Sequence, residues 1–345
     1  MLERHSRPSA PRPGTLGRCT FPAAESRTAM NILLTGAAGF IGSAYARMLL
    51  EGRMPGREQD RVTVLDLLTY AGRRENLPAD HPRLTFVHGD VCDASLLLDL
   101  LPGHDAVVHF AAESHVDRSI DSATAFVRTN VLGTQTLLDA CLRTGVGPVV
   151  VVSTDEVYGS IEEGVWTEAS PLAPNSPYAA SKASSDLLAR AYWRTHGLDV
   201  RVTRCCNNYG PRQHPEKLIP RFASRLLAGE TVPLYGTGEN VREWLHVDDH
   251  SRAVDLVLMK GSAGRVYNVG GGDALTNVRL AGMLVELTGA DPGLVRHVED
   301  RKGHDLRYAL DDSRIREELG YAPEVPFGEG LAATVEWYRA HPGWR

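Results

Sequence analysis

The sequence predicts an α/β fold in which a doubly wound parallel sheet is followed by a smaller C-terminal domain. Short apolar runs alternate with helical patterns from residue 31 to residue 203, the order typical of a parallel sheet covered by helices on both faces. Several runs end in small or polar residues, and a glycine-rich turn follows the first. Ligands of such sheets bind at the carboxyl ends of the strands, so the pattern also predicts where a functional site lies.

The first predicted strand leads directly into a glycine-rich turn and a helix. The apolar run Asn31–Thr35 precedes Gly36-Ala-Ala-Gly39-Phe-Ile-Gly42, and an apolar helix then runs to Leu50. Glycines permit a tight turn and close approach to a ligand, while free N–H groups and the dipole at a helix N-terminus attract a pyrophosphate. The turn therefore predicts a Rossmann-type dinucleotide site that includes Gly36, Gly39, Phe40, Ile41 and Gly42.

The second predicted strand, 61–66, ends in an acid. A carboxylate at Asp66 can bond the ribose hydroxyls of an adenosine and repels a 2′-phosphate, so the sequence favours NAD over NADP. Arg73 and Arg74 follow closely and could neutralise a phosphate. Solvated loop positions explain these two arginines more simply, so NAD remains the expected cofactor.

The third and fourth predicted strands, 84–88 and 106–110, add further residues to this edge of the sheet. A helical pattern with Asn130 inside it follows the fourth strand from Asp121 to Thr144. Small residues after the fourth strand allow a cofactor to approach the backbone, whereas polar strand ends are also common caps. The expected cofactor contacts are Asp90, Val91, Ala111 and Ala112.

The fifth predicted strand places two carboxylates where a buried strand surfaces. The run Val149–Val152 is wholly apolar, as expected for a strand buried on both faces, and Ser153-Thr154-Asp155-Glu156 follows it. Two adjacent carboxylates cannot both ionise freely when desolvated, so one of them is pushed to stay protonated. The alternative is that Asp155 caps the next turn and Glu156 is solvated.

A tyrosine and a lysine four residues apart follow on a predicted helix. Tyr178 and Lys182 share one helix face, and Pro177 introduces the helix. A phenol is a poor base at neutral pH, and an ammonium one turn away is expected to lower its pKa. A surface pair on an amphipathic helix is the plain alternative, and the preceding carboxylates favour a catalytic pair.

The rest of the chain predicts a second domain. After a further strand at 199–203, Gly and Pro become frequent and the strict alternation stops. We expect residues 30–208 to form the nucleotide-binding domain, with later strands added from about 241–272, and residues 209–345 to form most of a substrate-binding domain. Residues 1–29 carry four prolines and five arginines and are expected to be a disordered extension, with a transit peptide as the alternative.

Composition excludes several functions. The net charge of −6 and the pI near 6.1 provide no basic field for nucleic acid. No apolar run reaches the length of about 18 residues that a membrane span requires. The five cysteines contain no CxxC motif and suggest a reducing, cytoplasmic location, and the segment 246–250 lacks the ligand pattern of a metal site, so no metal is expected.

Together the motifs resemble those of a known enzyme family. The chain contains GAAGFIG, AAESHVDRS, STDEVYG, SPYAASKA, RCCNNYGPRQ and EKLIP in this order. This set is similar to that of the nucleoside-diphosphate-glucose 4,6-dehydratases, which belong to the extended short-chain dehydrogenase/reductases. The resemblance covers Met30 to Arg345, and its most specific element is Asp155-Glu156, because related epimerases carry other residues there. Arg73 and Leu306 depart from the family pattern, as does the N-terminal extension.

The resemblance implies roles for individual residues. Tyr178, ionised with help from Lys182, would take the proton of the sugar 4-hydroxyl, bonded by Thr154, as hydride passes from carbon 4 to NAD. Glu156 would then remove the carbon 5 proton and Asp155 would protonate the departing 6-hydroxyl, after which hydride returns to carbon 6. The substrate would be dTDP-glucose or a related nucleoside-diphosphate hexose, and its contacts are expected to include Ser114, His115, Asn207, Lys217, Arg242, Asn277 and His304.

Two other functions remain open at this point. A nucleotide-sugar 4-epimerase or decarboxylase would use NAD, Tyr178 and Lys182 in the same way, and a non-catalytic NAD-binding protein would keep only the fold. The acid pair favours the dehydratase over both. The resemblance also implies a homodimer, in which helices at about 122–144 and 178–196 pair across a two-fold axis. The choice between a thymine and a uracil nucleotide is left open by the sequence.

Overall fold

A computed structural model describes residues 29–344 and consists of alternating strands and helices. The strands are β1 (Asn31–Thr35), β2 (Arg61–Asp66), β3 (Leu84–His88), β4 (Ala106–His109), β5 (Val149–Thr154), β6 (Val200–Cys205), β7 (Asn207–Tyr209), β8 (Val232–Tyr235), β9 (Val241–His246), β10 (Val266–Val269), β11 (Asp273–Thr276) and β12 (Val295–Val298). The α-helices are α1 (Phe40–Leu50), α2 (Ala94–Leu100), α3 (Val116–Asp121), α4 (Thr124–Phe126), α5 (Thr134–Thr144), α6 (Pro177–His196), α7 (Leu218–Leu227), α8 (Val247–Lys260), α9 (Asn277–Thr288), α10 (Ser313–Leu319) and α11 (Phe327–Ala340). The expected extension lies almost entirely outside the described residues.

The central sheet has seven parallel strands in the order β10-β6-β5-β4-β1-β2-β3. The strand order reverses between β1 and β4, which is where a doubly wound sheet forms its ligand crevice. The predicted Rossmann-type fold is therefore confirmed. Of the segment expected to add strands to this sheet, β10 does so, whereas β9 pairs instead with β7 and β11 in a small separate sheet.

Helices cover both faces of the central sheet, and each face has its own apolar core. On one face α1 and α8 pack together, with Tyr45, Leu49 and Val254 fully buried between them and the sheet. On the other face α2, α5 and α6 bury Leu97, Leu137 and Ala189. Strand β5 is buried over its whole length because both layers cover it.

The C-terminal part of the chain builds a third core. Helices α7, α9 and α11 pack around residues such as Phe222, Leu284 and Leu331, beside the small sheet β11-β9-β7. The parallel pair β12-β8 lies in the same region. This part contacts the central domain along the carboxyl edge of the sheet, so a cleft forms between the two.

The helix expected from Asp121 to Thr144 is interrupted. After the short helix α4 the chain forms a π-helical segment at Val127–Gly133 before α5 begins. The reason lies in Asn130, whose side chain accepts from the N–H of Glu113 at 2.8 Å and donates to its carbonyl at 3.0 Å and to Ser181 Oγ at 2.8 Å. A π-bulge of this kind is common at functional sites, and here it fixes the loop after β4 to helix α6.

Candidate active site

A cleft of about 280 Å³ opens at the carboxyl ends of the central strands. Its walls come from the loops after β1, β2, β4, β5 and β6, as the sheet topology requires. It brings together most of the residues that the sequence predicts for the site, with Thr154 and Glu156 at its inner end. The others are Gly36, Gly39, Phe40, Ile41, Gly42, Asp66, Asp90, Val91, Ala111, Ala112, Ser114, Tyr178, Lys182 and Asn207, and Lys217 lines the cleft from the second domain.

The glycine-rich turn shapes one wall of the cleft. Gly36 has φ +70°, and a Cβ atom there would lie 2.4 Å from the Cα and backbone N of Ala111, so only glycine fits between β1 and β4. Gly39 is the N-cap of α1 and contributes no capping side chain, which leaves the first N–H groups of the helix facing the cleft. This geometry suits a bound pyrophosphate.

Asp66 occupies the position expected for a ribose acceptor. Its Oδ2 accepts from the N–H of Ala38 at 2.8 Å and its Oδ1 accepts from the N–H of Leu68 at 2.8 Å. Burial raises the pKa of this carboxyl, while the two backbone bonds oppose the rise. Both oxygens are thereby fixed in orientation at the cleft wall.

The two carboxylates after β5 have different surroundings. Asp155 is 2% exposed, and burial, followed by the charges of Glu156 and Glu243, raises its pKa well above the ordinary value. Its Oδ1 accepts from Thr154 Oγ1 at 3.2 Å, and its buried Oδ2 has no partner among residues 29–344. Thr154 also accepts from the N–H of Glu156 at 3.3 Å, so the threonine positions both acids.

Glu156 reaches the cleft, and it faces positive charge from the second domain. Burial raises its pKa, whereas the charges of Arg301, Arg242 and Lys217 lower it. Asp155 lies behind the cleft lining and Glu156 lies in it. The pair is therefore asymmetric: burial raises both pKa values, but neighbouring acids add to the rise for Asp155, whereas cations of the second domain oppose it for Glu156.

Tyr178 and Lys182 lie on helix α6 as the sequence predicts, and both line the cleft. Ser176 caps this helix by accepting from the N–H of Ala179 at 3.1 Å, and Pro177 takes the first helical position. The expected lowering of the tyrosine pKa is wrong for the protein alone. Burial and the charge of Glu156 raise the pKa of Tyr178, while a hydrogen bond with Thr154 lowers it.

Lys182 lies one turn further along α6 and bonds to the backbone of β5. Its Nζ donates to the carbonyl of Val152 at 2.7 Å, and burial lowers the pKa of this ammonium. Asp186, one turn further along α6, opposes that fall. The ammonium is thus fixed to the backbone of β5.

Several residues expected to bind a substrate lie beyond the cleft lining, on its second-domain side. Arg242 Nη2 donates to the carbonyl of Asp305 at 2.9 Å, and His304 Nδ1 lies 2.6 Å from Asp300. Asn277 is buried at the start of α9, and its Oδ1 has no partner within the described part of the chain. His115 lies 3.8 Å from Glu216, which is itself in the lining.

The cleft also contains residues that the sequence reasoning did not single out. Tyr70 follows β2 and donates to Glu216 Oε1 at 3.1 Å, which joins the two domains across the cleft. Cys205 lies beside Ser153, whose carbonyl accepts from its Sγ at 3.4 Å, and burial raises the pKa of this thiol to about 12. Cys205 and Glu216 belong to the motifs RCCNNYGPRQ and EKLIP, whereas Tyr70 lies outside the named motifs and only the topology reveals its place in the cleft.

Comparisons with known proteins identify the family. Residues 33–334 match the family described as GDP-mannose 4,6 dehydratase. The chain is 63% identical to dTDP-glucose 4,6-dehydratase of Streptomyces griseus over 91% of this chain and 95% of the relative. A solved structure, DesIV (dTDP-glucose 4,6-dehydratase) from Streptomyces venezuelae with NAD and TYD bound, is 64% identical, has a TM-score of 0.90 and covers 91% of this chain and 98% of that one.

The chain belongs to the dTDP-glucose 4,6-dehydratase family. The fold of this dehydratase family is shared by enzymes of other activities. UDP-glucose 4-epimerase from Thermotoga maritima, solved with UDP-glucose, is 34% identical with a TM-score of 0.84, and covers 90% of this chain and 99% of that one. Fold alone therefore does not separate a dehydratase from an epimerase, and the acid pair at the end of β5 is the feature of this chain that bears on the difference.

Proposed function

We propose that the chain converts dTDP-glucose to dTDP-4-keto-6-deoxyglucose and water, with NAD as a resident cofactor. The single observation that carries this proposal is the asymmetry of Asp155 and Glu156 beside Tyr178 at the end of β5. Loss of water across two carbons needs an acid for the leaving hydroxyl and a base for the neighbouring proton. A dehydratase uses this pair of groups, whereas simple oxidation and reduction at one carbon does not.

The cleft fits the proposed cofactor at three points. Gly36 permits the turn that brings Ala111 close, the N-terminus of α1 faces the space for a pyrophosphate, and Asp66 presents a fixed carboxylate for ribose hydroxyls. When bound, NAD supplies a positively charged ring that accepts hydride from carbon 4 and returns it to carbon 6. The solved relative DesIV holds NAD, which supports the same cofactor here.

Tyr178 is the proposed base for the sugar 4-hydroxyl. It is buried on the cleft wall, and its hydrogen bond with Thr154 already favours the ionised phenol. Burial, the largest contribution, opposes ionisation in the protein alone, so a positive charge brought in beside the phenol is needed to lower its pKa. Lys182, held on the carbonyl of Val152, adds a cation to the same cleft wall.

Glu156 and Asp155 are the proposed base and acid of the elimination. Oxidation at carbon 4 makes the carbon 5 proton acidic, and Glu156, which lines the cleft and faces Arg301 and Arg242, removes it. Burial and the charges of Glu156 and Glu243 raise the pKa of Asp155 and so favour its protonated form, which is the proposed donor of a proton to the departing 6-hydroxyl. Glu156 then returns its proton to carbon 5.

Residues of the second domain are proposed to hold the nucleoside diphosphate. Lys217 donates to the carbonyl of Ser114 at 2.5 Å and lines the cleft, which places a cation at the domain boundary. The buried side-chain oxygens of Asn207 and Asn277 have no partner within residues 29–344 and are available to a ligand. Arg242 and His304 add donors on the same side, consistent with binding of an anionic nucleotide.

Incubation of the purified protein with dTDP-glucose and with UDP-glucose, without added NAD, tests the proposal. Mass analysis should show loss of one water from the hexose of dTDP-glucose, and heat-denatured protein should release NAD. A product of unchanged mass would indicate epimerisation, and a requirement for a stoichiometric external reductant would contradict the internal redox cycle. The ratio of the rates with dTDP-glucose and with UDP-glucose measures the preference between a thymine and a uracil nucleotide.

We also propose that the protein is a cytoplasmic homodimer. Four large apolar side chains lie exposed on neighbouring segments: Ile120 on α3, Val127 and Leu132 on the π-helical segment, and Leu187 on α6. Val127 and Leu187 are each more than half exposed, and apolar side chains this exposed are typical of a surface that a second subunit covers. Sedimentation of Leu187→Asp should give a monomer where the unaltered chain gives a dimer.

None of the helices within residues 29–344 is long and apolar enough to cross a membrane.

A further inference from the structure

Arg73 lies at the end of the loop that lines the proposed cofactor cleft. The loop after β2 contributes residues 67 and 69–72 to the lining, and Arg73 follows directly. The N–H of Arg73 donates to the carbonyl of Ala38 at 3.0 Å, and the N–H of Ala38 donates to Asp66 Oδ2 at 2.8 Å. Ala38 therefore links the backbone of Arg73 to the carboxylate of Asp66, which is proposed to bind the ribose.

The side chain of Arg73 contacts the C-terminal segment. Its guanidinium lies 4.9 Å from the ring centroid of Trp344. Trp344 packs edge-on against Trp337 at 5.2 Å, and Trp337 stacks on His341 at 4.2 Å. Arg73, at the edge of the central domain, is thus held on an aromatic cluster built on the end of α11.

A second arginine strengthens the case that this cluster binds cations. The guanidinium of Arg212 lies 5.9 Å from the rings of both Trp337 and Trp344, and its Nη1 donates to the carbonyl of Glu75 at 3.1 Å. Cation–π contacts with tryptophan are the strongest of their kind. The aromatic cluster accordingly gathers two guanidinium groups, one of them from the residue that directly follows the cleft-lining loop after β2.

An arginine beside the ribose site normally accommodates the 2′-phosphate of NADP, whereas a carboxylate such as Asp66 disfavours it. Both kinds of residue are present here, so the position of the guanidinium decides which effect dominates. We propose that Trp344 is a specificity-determining residue, which secures the preference for NAD over NADP by holding Arg73 on the C-terminal aromatic cluster. The inference rests on the proposed use of a nicotinamide dinucleotide.

Arg74 provides a matched control in the same loop. Its guanidinium lies 5.2 Å from the ring of Phe86, and its nitrogens donate to the carbonyls of Pro78 and Ala79 at 2.9 and 3.0 Å. These contacts are made with the central domain and do not involve Trp344. Removal of this arginine changes the loop charge by the same amount as removal of Arg73.

The experiment compares the unaltered chain with Trp344→Ala, Arg73→Ala, the double variant Trp344→Ala/Arg73→Ala, Arg74→Ala and the conservative Trp344→Phe. Each protein is equilibrated with equal excess concentrations of NAD and NADP, freed of unbound nucleotide and heated, and the released nucleotides are counted. Trp344→Ala should raise the ratio of NADP to NAD about two- to fivefold, the size expected from loss of an exposed cation–π contact. Arg74→Ala should leave the ratio unchanged, and Trp344→Phe should largely restore it.

The double variant tests whether Arg73 causes any rise in the ratio of NADP to NAD. If freed Arg73 binds the 2′-phosphate, Trp344→Ala/Arg73→Ala should return to the ratio of Arg73→Ala. A gain that persists in the double variant, or no change in Trp344→Ala, overturns the inference while leaving the cofactor proposal intact. If the unaltered chain releases neither nucleotide, the proposed cofactor is overturned instead. The count of released nucleotide does not depend on turnover. Failure of the Trp344 inference can therefore be distinguished from failure of the cofactor proposal.

Discussion

Replacement of Asp155 by Asn should slow dehydration and yet stabilise the protein at neutral pH. Asp155 is 2% exposed, its Oδ2 has no partner among residues 29–344, and burial raises its pKa well above the ordinary value. Asparagine has the same shape and keeps the Oδ1 acceptor for Thr154, but it has no acidic proton to donate. Loss of the acid should reduce product formation by about 100-fold or more.

The stability change follows from proton uptake on folding. In the unfolded chain an aspartate has a pKa of about 3.9, so an Asp155 that is neutral in the native site takes up a proton on folding, which costs about 1.4 kcal/mol for each unit by which the pH exceeds about 3.9, up to the raised native pKa. The Asp155→Asn variant avoids this cost. Its side chain places an NH₂ group where Oδ2 is buried without a partner, which costs about 1–3 kcal/mol. The variant should therefore be the more stable protein at pH 7, because the cost of proton uptake grows with pH whereas the cost of the unpartnered NH₂ group does not.

The pH dependence is the sharper test. A carboxyl with a raised native pKa binds its proton more tightly when folded, so the unaltered protein loses stability as pH rises from about 4 to the native pKa. The advantage of the variant should therefore grow between pH 5 and pH 7 and reverse near pH 4, where Asp155 is protonated in both states. Urea unfolding of both proteins at each pH measures it, with Asp80→Asn on an exposed loop as a control. A stability difference that is constant with pH would refute the neutral, buried acid.

Three further outcomes are expected. Glu156→Gln cannot accept the carbon 5 proton, so product should form about 100-fold more slowly and exchange of carbon 5 hydrogen with deuterated solvent should stop; fast exchange would remove Glu156 as the base. Glu243→Gln keeps an acceptor for the N–H groups of Gly271 and Gly272 but removes a charge that raises the pKa of Asp155, so the high-pH loss of activity should move to lower pH in a rate profile. Gly36→Ala should abolish NAD retention, because its Cβ would meet the backbone of the adjacent strand at 2.4 Å; NAD released on heating at the unaltered level would contradict this.

Much of the central domain could be predicted from local sequence. Strand β1, the glycine-rich turn and Asp66 follow one another within a short stretch, and the period of apolar residues places each on a strand, a turn or a helix start. Tyr178 and Lys182 share a helix face because they are four residues apart. Such features depend on backbone geometry alone, so the sequence by itself determined the fold class and about half of the residues that line the cleft.

The tertiary structure decided what depends on distant neighbours. Burial by several elements raises the pKa of Tyr178 instead of lowering it, and Asn130 bonds the loop after β4 from a π-helical stretch within the helix that periodicity predicts. Trp344 meets Arg73 only because α11 returns the chain to the edge of the first domain. Charge, desolvation and packing act across space, and a pattern read along the chain contains no measure of those distances.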